Sequence, residues 1–163
     1  MDGTTFETLR RWSRSNGTAS AVLGTGDRPA LAWADLPGAI ERLAIAFAAT
    51  GATRTSRIAL VLPPGPEAVV AFLAAMRIGV AVPLNPELTR AELAATLARL
   101  RPHLLVFRAG LPGHAETVSA SLGLPALELT WQAADPVGMA RVRGTARATP
   151  LVVDDPLAAP EGT

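Results

Sequence analysis

The chain contains no cysteine and no lysine. Without thiols, disulfides and thiolate metal sites are excluded, and a reducing cytoplasm is the expected compartment. Without lysine, no ammonium group is available to neutralise charge at a reacting phosphate. Aromatic residues are scarce, at 4%. Neither charge dominates: 15 basic residues, all of them Arg, stand against 14 acidic ones. The arginines are scattered, and the densest groups, Arg10-Arg11 and Arg99 with Arg101, read as solvated helix faces. Nucleic-acid binding needs clustered positive charge, so nucleic acid is not an expected partner. No apolar run approaches the length of a membrane span. The start, Met-Asp-Gly-Thr-Thr, has neither a basic stretch nor an apolar core and does not read as a secretory signal.

What is present is an apolar fraction of 49% in 163 residues, enough for one domain with a core. The most informative stretch is Arg57 to Pro86. Ile58-Ala-Leu-Val-Leu62 is a short apolar run stopped by Pro63-Pro64-Gly65-Pro66, as in a strand buried on both faces. A helix is predicted over 67–78, with Val69, Phe72, Leu73 and Met76 on its apolar face and Phe72 and Leu73 in the core. Gly79 is expected to end it in a left-handed conformation. Val80-Ala-Val82 is again a strand. Strand, helix and strand in thirty residues read as a parallel βαβ unit.

Elsewhere the same reading applies. Thr4 or Thr5 is expected to cap a first helix ending near Arg14, with Phe6, Leu9 and Trp12 on one side. Ala19 to Leu23 and Ala30 to Trp33, separated by Gly24-Thr-Gly-Asp-Arg-Pro29, read as a hairpin. The Gly24-x-Gly26 pair lacks the third glycine and the helix of a dinucleotide loop. Asp35 is a candidate cap for a helix over 36–50, with the stripe Leu36, Ile40, Leu43, Ala44 and Phe47 buried and Glu41 and Arg42 solvated. Thr89-x-x-Glu92 has capping-box spacing, opening a helix over 90–101 with Leu93, Leu97 and Leu100 inside. Leu104 to Phe107 is a strand, 113–122 a weaker helix and Ala126 to Leu129 a strand. Trp131 to Thr149 shows no sustained period, and Leu151-Val-Val153 suits an edge strand. The expected class is α/β, a mainly parallel sheet with helices on both faces. Residues 1–150 form the layer and 151–163 an exposed tail.

Three segments also carry a resemblance. Gly79-Val-Ala-Val-Pro-Leu-Asn-Pro86, Leu62-Pro-Pro-Gly-Pro-Glu67 and Leu31-Ala-Trp-Ala-Asp-Leu36 resemble, in order and spacing, segments of the AMP-binding, adenylate-forming enzymes. The likeness runs from about Ala30 to Phe107. It implies the N-terminal subdomain of an acyl-CoA synthetase-like ligase, here incomplete. ATP, Mg²⁺ and CoA are implied for a complete parent enzyme, and none for this chain. Departures are instructive. Where the family has Gly-Asp before its strand, this chain has Thr55-Ser56. Asp154-Asp155 resembles the piece that precedes the family's phosphate loop, but the sequence then reads Pro160-Glu-Gly-Thr163 without that loop. The remainder of an adenylate-forming enzyme, fused or as a separate chain, is therefore the implied partner.

No residue is assigned a catalytic, cofactor-binding or metal-binding role. His103 and His114 have no second ligand at metal spacing and read as surface or helix-end residues. Ser119, Ser121 and Asp135 supply the residue types of a triad, but no Gly-x-Ser-x-Gly elbow accompanies them. Glu92 reads as a cap. Trp12, Trp33 and Trp131 read as core or subdomain-contact residues. Two other readings stay open: a stand-alone, non-catalytic α/β binding or interaction module, with another adenylating subunit as a candidate partner, and an unrelated nucleotide-binding α/β domain.

Overall fold

The computed structural model describes residues 3–153 except 25, 112, 147 and 148. A helix α1 (Gly3–Ser15) is followed by a two-stranded antiparallel hairpin, β1 (Ser20–Val22) and β2 (Leu31–Ala32). Then come α2 (Leu36–Ala48), β3 (Arg57–Val61), α3 (Pro66–Ile78), β4 (Val80–Pro83), α4 (Arg90–Leu100), β5 (Leu104–Arg108) and α5 (Ala115–Ser121). Three strands complete the chain: β6 (Ala126–Thr130), β7 (Arg141–Ala146) and β8 (Thr149–Val153). The main sheet has the order β4-β3-β5-β6-β7-β8. Its first three pairings are parallel and its last two antiparallel. The α/β class with a mainly parallel sheet is therefore as expected from the sequence.

Alternation along the strands sorts the core into two layers, because successive side chains leave a strand on opposite faces. Ile58, Leu60, Leu104, Val106, Leu127 and Leu129 face α1, α2 and α3. Ala59, Val61, Leu105 and Phe107 face α4 and α5, where Leu93, Leu97, Ala115 and Val118 meet them. The stripe of α2 is buried as anticipated from Leu36 to Phe47. The capping box of α4 is also present: Glu92 N–H donates to Thr89 Oγ1 (3.3 Å), and Thr89 N–H to Glu92 Oε2 (2.9 Å). The Thr89 hydroxyl donates to the same carboxylate (2.7 Å), which holds the Glu92 carboxyl below its ordinary pKa.

Several local expectations fail, each for a visible reason. The α3 stripe is rotated. Val70, Ala71, Ala74 and Ala75 are buried, while Val69 and Phe72 are exposed at 49% and 36%. The spacing of large side chains pointed one way, but the alanines permit the closer approach to α2, and the bulky residues turn outward. Gly79 is not left-handed (φ −156°). A Cβ there would meet the backbone carbonyl oxygens of Ser56 and, at 2.8 Å, Thr53. Close approach of two chain segments requires this glycine.

The caps of the first two helices differ as well. α1 begins at Gly3, so Thr4 and Thr5 lie inside its first turn. Asp35 occupies the position before α2, but it is helical (φ −91°, ψ −24°) and its side chain makes no capping bond. Glu41 and Arg42 are half-buried rather than solvated. Glu41 faces Arg77 of α3 (3.7 Å), and Arg77 also lies over the Phe6 ring (4.9 Å), so one guanidinium joins three helices.

Strand β7 falls in the stretch read as patternless. It pairs with β6 over Ala126–Thr130, and long-range pairing supplies an order that its Arg-Val-Arg-Gly-Thr-Ala sequence does not advertise. The edge strand expected at 151–153 is present within β8. That strand takes in the first residues of the proposed tail, and Asp154-Asp155 onward lies outside the described residues.

Candidate functional site

Open α/β sheets take ligands beyond the carboxyl ends of their strands, where the strand order reverses. Here the chain passes from β3 to β4 on one side and returns to β5 on the other. The switch point thus lies at the ends of β3 and β5, near Leu62 and Arg108. Arg108 closes β5, with its guanidinium over the Trp131 ring at 4.7 Å. Beside this end, between α3 and the edge strand β4, runs a cavity of about 390 Å³. Leu60, Leu62, Val69, Phe72, Pro83 and Leu84 line it, and no charged side chain does.

The most elaborate polar cluster sits at the start of α3. Pro66 opens the helix, and the next residue, Glu67, is 5% exposed. Its Oε1 accepts from Arg28 Nη1 (2.8 Å) and from the Gly138 N–H (3.0 Å). Arg28 further donates from Nε to the Asp135 carbonyl (3.1 Å) and from Nη2 to the Pro136 carbonyl (3.0 Å). The guanidinium is therefore engaged on all three nitrogens. Asp135 accepts from Arg141 (2.6 and 3.1 Å) and from the Gln132 N–H (2.8 Å). Burial alone would raise the Asp135 pKa, but the Arg141 and Gln132 hydrogen bonds and the charges of Arg141 and Arg28 outweigh it and hold it low. Gly138 is left-handed (φ +77°), and a Cβ there would lie 2.8 Å from Val70 Cγ2.

This cluster fastens the hairpin loop and the 132–141 turn onto the sheet's helical layer. Its charges neutralise one another, and none is presented to an open cavity with a nucleophile beside it. Glu67 belongs to the Leu-Pro-Pro-Gly-Pro-Glu segment, and the reason for a carboxylate there is now visible. Arg28 and Gly138 carried no sequence signal. Their partners are about forty to just over a hundred positions away in the chain, beyond any local period.

The other sequence candidates are dispersed. His103 Nε2 donates to the Thr50 carbonyl (2.9 Å) and packs near Gly51. It borders a cavity of about 700 Å³ with Arg101, Leu122 and Pro125, at the amino ends of β5 and β6, opposite the ligand end. His114 precedes α5, makes no capping bond, and its buried Nε2 has no hydrogen-bond partner. Ser119 and Ser121 donate to the carbonyls of Glu116 and Val118, both at 2.8 Å, within their own helix. Among the described residues, no serine, histidine and aspartate are brought together. Among the described residues, no group of three or more His, Asp or Glu converges on a point where a metal ion would fit. Trp12 and Trp33 stack edge to face (6.2 Å, 73°) across the α1–hairpin junction.

Comparison with known proteins decides the lineage. The model of the AMP-binding enzyme family matches residues 9–157. The chain belongs to the AMP-binding enzyme family. The tenellin synthetase of Beauveria bassiana is 33% identical over 116 residues, which are 71% of this chain and 3% of that synthetase. Among solved structures, apo MatB from Rhodopseudomonas palustris superposes with a TM-score of 0.66 at 24% identity. That alignment covers 86% of this chain and 27% of MatB. A benzoate CoA ligase from Burkholderia xenovorans LB400 gives 0.66 at 21% identity, covering 82% of this chain and 27% of the ligase. These likenesses establish the fold. The chain spans about a quarter of the length of these solved AMP-binding relatives.

The family implies a triphosphate with its Mg²⁺. The described residues do not fit that group: they hold neither a carboxylate cluster for the cation nor a glycine-rich nest for phosphate. Among the described residues, no helix is long and apolar enough to cross a membrane.

Proposed function

We propose that this chain is the N-terminal portion of an AMP-forming ligase of the acyl-CoA synthetase type. Residues 1–150 are its incomplete α/β subdomain and 151–163 lead toward the position of the phosphate loop. The complete enzyme would join a carboxylic acid to ATP, releasing pyrophosphate and forming an acyl-adenylate. CoA thiol would then displace AMP to give a thioester. The chain by itself does not perform this reaction, and it works, in the cytoplasm, only with the rest of the enzyme. The observation that carries the reading is the family match over residues 9–157 combined with coverage of only 27% of MatB.

The inactivity of the isolated chain follows from what adenylation demands. The triphosphate must be held and its developing charge neutralised, and catalysis of such transfers is mainly this positioning and electrostatic work. The sequence contributes no lysine. The test is acid-dependent exchange of labelled pyrophosphate into ATP. The 163-residue chain alone should show none. Exchange should appear when the polypeptide encoded by the adjoining DNA for the rest of the AMP-binding region is supplied. Exchange by the purified chain alone would overturn the reading. A locus without such DNA would favour a stand-alone binding module.

A further inference from the structure

The cavity beside α3 has a feature that the fold does not explain. Val69, Phe72 and Leu73 follow the helical three-and-four spacing, yet among the described residues no helix covers their side of α3. Val69 and Phe72 are among the exposed large apolar residues of the chain. Together with Leu60, Leu62, Pro83 and Leu84 they form a continuous apolar groove along the β4 edge of the sheet.

The edge itself is poorly suited to backbone pairing. Val80 N–H donates to Ser56 O and Leu84 N–H to Leu60 O, so alternate residues of β4 point their amides inward. Ala81 and Pro83 therefore face outward, and Pro83 has no N–H to give. A proline on an edge strand discourages the addition of another strand. The groove, by contrast, presents apolar side chains. It lacks the few convergent polar groups with which small-molecule sites orient a ligand. Covering such exposed apolar side chains with another apolar surface removes them from water, which is favourable.

We infer that the groove between α3 and β4 is the seat for an apolar segment, presented as side chains rather than as an added strand, from the remainder of the AMP-binding fold. This rests on the fragment reading above. The chain covers only 27% of MatB, so most of such a fold lies in other polypeptide able to cover the groove.

The test uses the full chain and, as probe, the separately purified polypeptide encoded by the adjoining DNA for the rest of the AMP-binding region. Binding is measured by calorimetry and the oligomeric state by sedimentation. Phe72→Ser and Val69→Ser should each fold, as judged by thermal unfolding, and each should bind the probe at least ten-fold more weakly than wild type. Ile45→Ser, at an exposed apolar position on α2 that does not line the groove, should bind normally. Equal binding by all four proteins would overturn the groove assignment and leave the fragment reading standing. Failure of the wild type to bind, or absence of such coding DNA, would remove the fragment reading and this inference with it. Dimerisation of the wild type that Phe72→Ser abolishes, without binding of the probe, would give the groove to a second copy and refute the assignment.

Discussion

Arg28 and Glu67 meet at 2.8 Å, joining a hairpin loop to the first turn of a helix nearly forty residues away. Their side chains are 18% and 6% exposed, so little water compensates if either partner is lost. Removing one member of a buried pair leaves an uncompensated charge. Glu67→Ala should therefore cost about 3–5 kcal/mol, a large share of the roughly 5–15 kcal/mol available to a domain. Glu67→Gln should cost less, because the amide oxygen can still accept from the Gly138 N–H. Urea unfolding of both variants and of Arg28→Ala, combined as a double-mutant cycle, measures the coupling. A coupling energy near zero would mean that the contact is not made in solution.

Asp135 gives stability a defined pH dependence. Its pKa is lowered in the folded chain, so the folded state binds this proton less readily than the unfolded state. The stabilisation is fully present above the ordinary carboxylate value, about 3.9, and is lost as pH falls through the lower folded value. Asp135→Asn should thus be less stable than wild type at pH 7, by about 1–3 kcal/mol for hydrogen bonds to a charged group. The difference should shrink on acidification below about pH 4. A gap that stays constant between pH 7 and pH 3 would contradict the assignment.

The rotated face of α3 predicts an unusual pair of outcomes. Phe72→Ala, at a position over a third exposed, should cost no more than about 1 kcal/mol, well short of the 3–5 kcal/mol of a buried phenylalanine. Ala74→Leu, at a fully buried position facing α2, should instead cost about 1–3 kcal/mol by overpacking. Guanidinium unfolding midpoints rank the two variants. The reverse ranking would restore the face that the large side chains suggest.

Gly79→Ala should be destabilising despite the conservative change. The added methyl would press on the Ser56 and Thr53 carbonyl oxygens, which are backbone and cannot rotate aside. A loss of roughly 1–3 kcal/mol is expected, as for other forced overpacking. Gly110→Ala offers a comparison, since nothing lies within 4 Å of a Cβ there and only its left-handed φ of +75° opposes the change. Thermal unfolding should show the larger drop for Gly79→Ala.

The sequence by itself determined most elements and their order. Short apolar runs closed by proline and glycine marked β3, β4 and β5, and the structure pairs them as parallel neighbours. Thr89 and Glu92 announced their capping box because that motif is complete within four residues. The resemblance of the Gly79–Pro86 segment pointed to the family that the comparison then established. All of these signals are local, since spacing along the chain fixes which groups can meet within one turn or one strand.

Tertiary structure decided what depends on distant partners. The buried face of α3 is set by how closely α2 approaches, and small side chains win over large ones there. Strand β7 exists because β6 and β8 flank it with hydrogen-bonding edges. Arg28, Glu67 and Gly138 are brought together across 71 residues between the last two. Such contacts leave no period in the sequence, because the partners are far apart in the chain and the cost of burying their polar groups is offset only when the whole chain has folded and paired them.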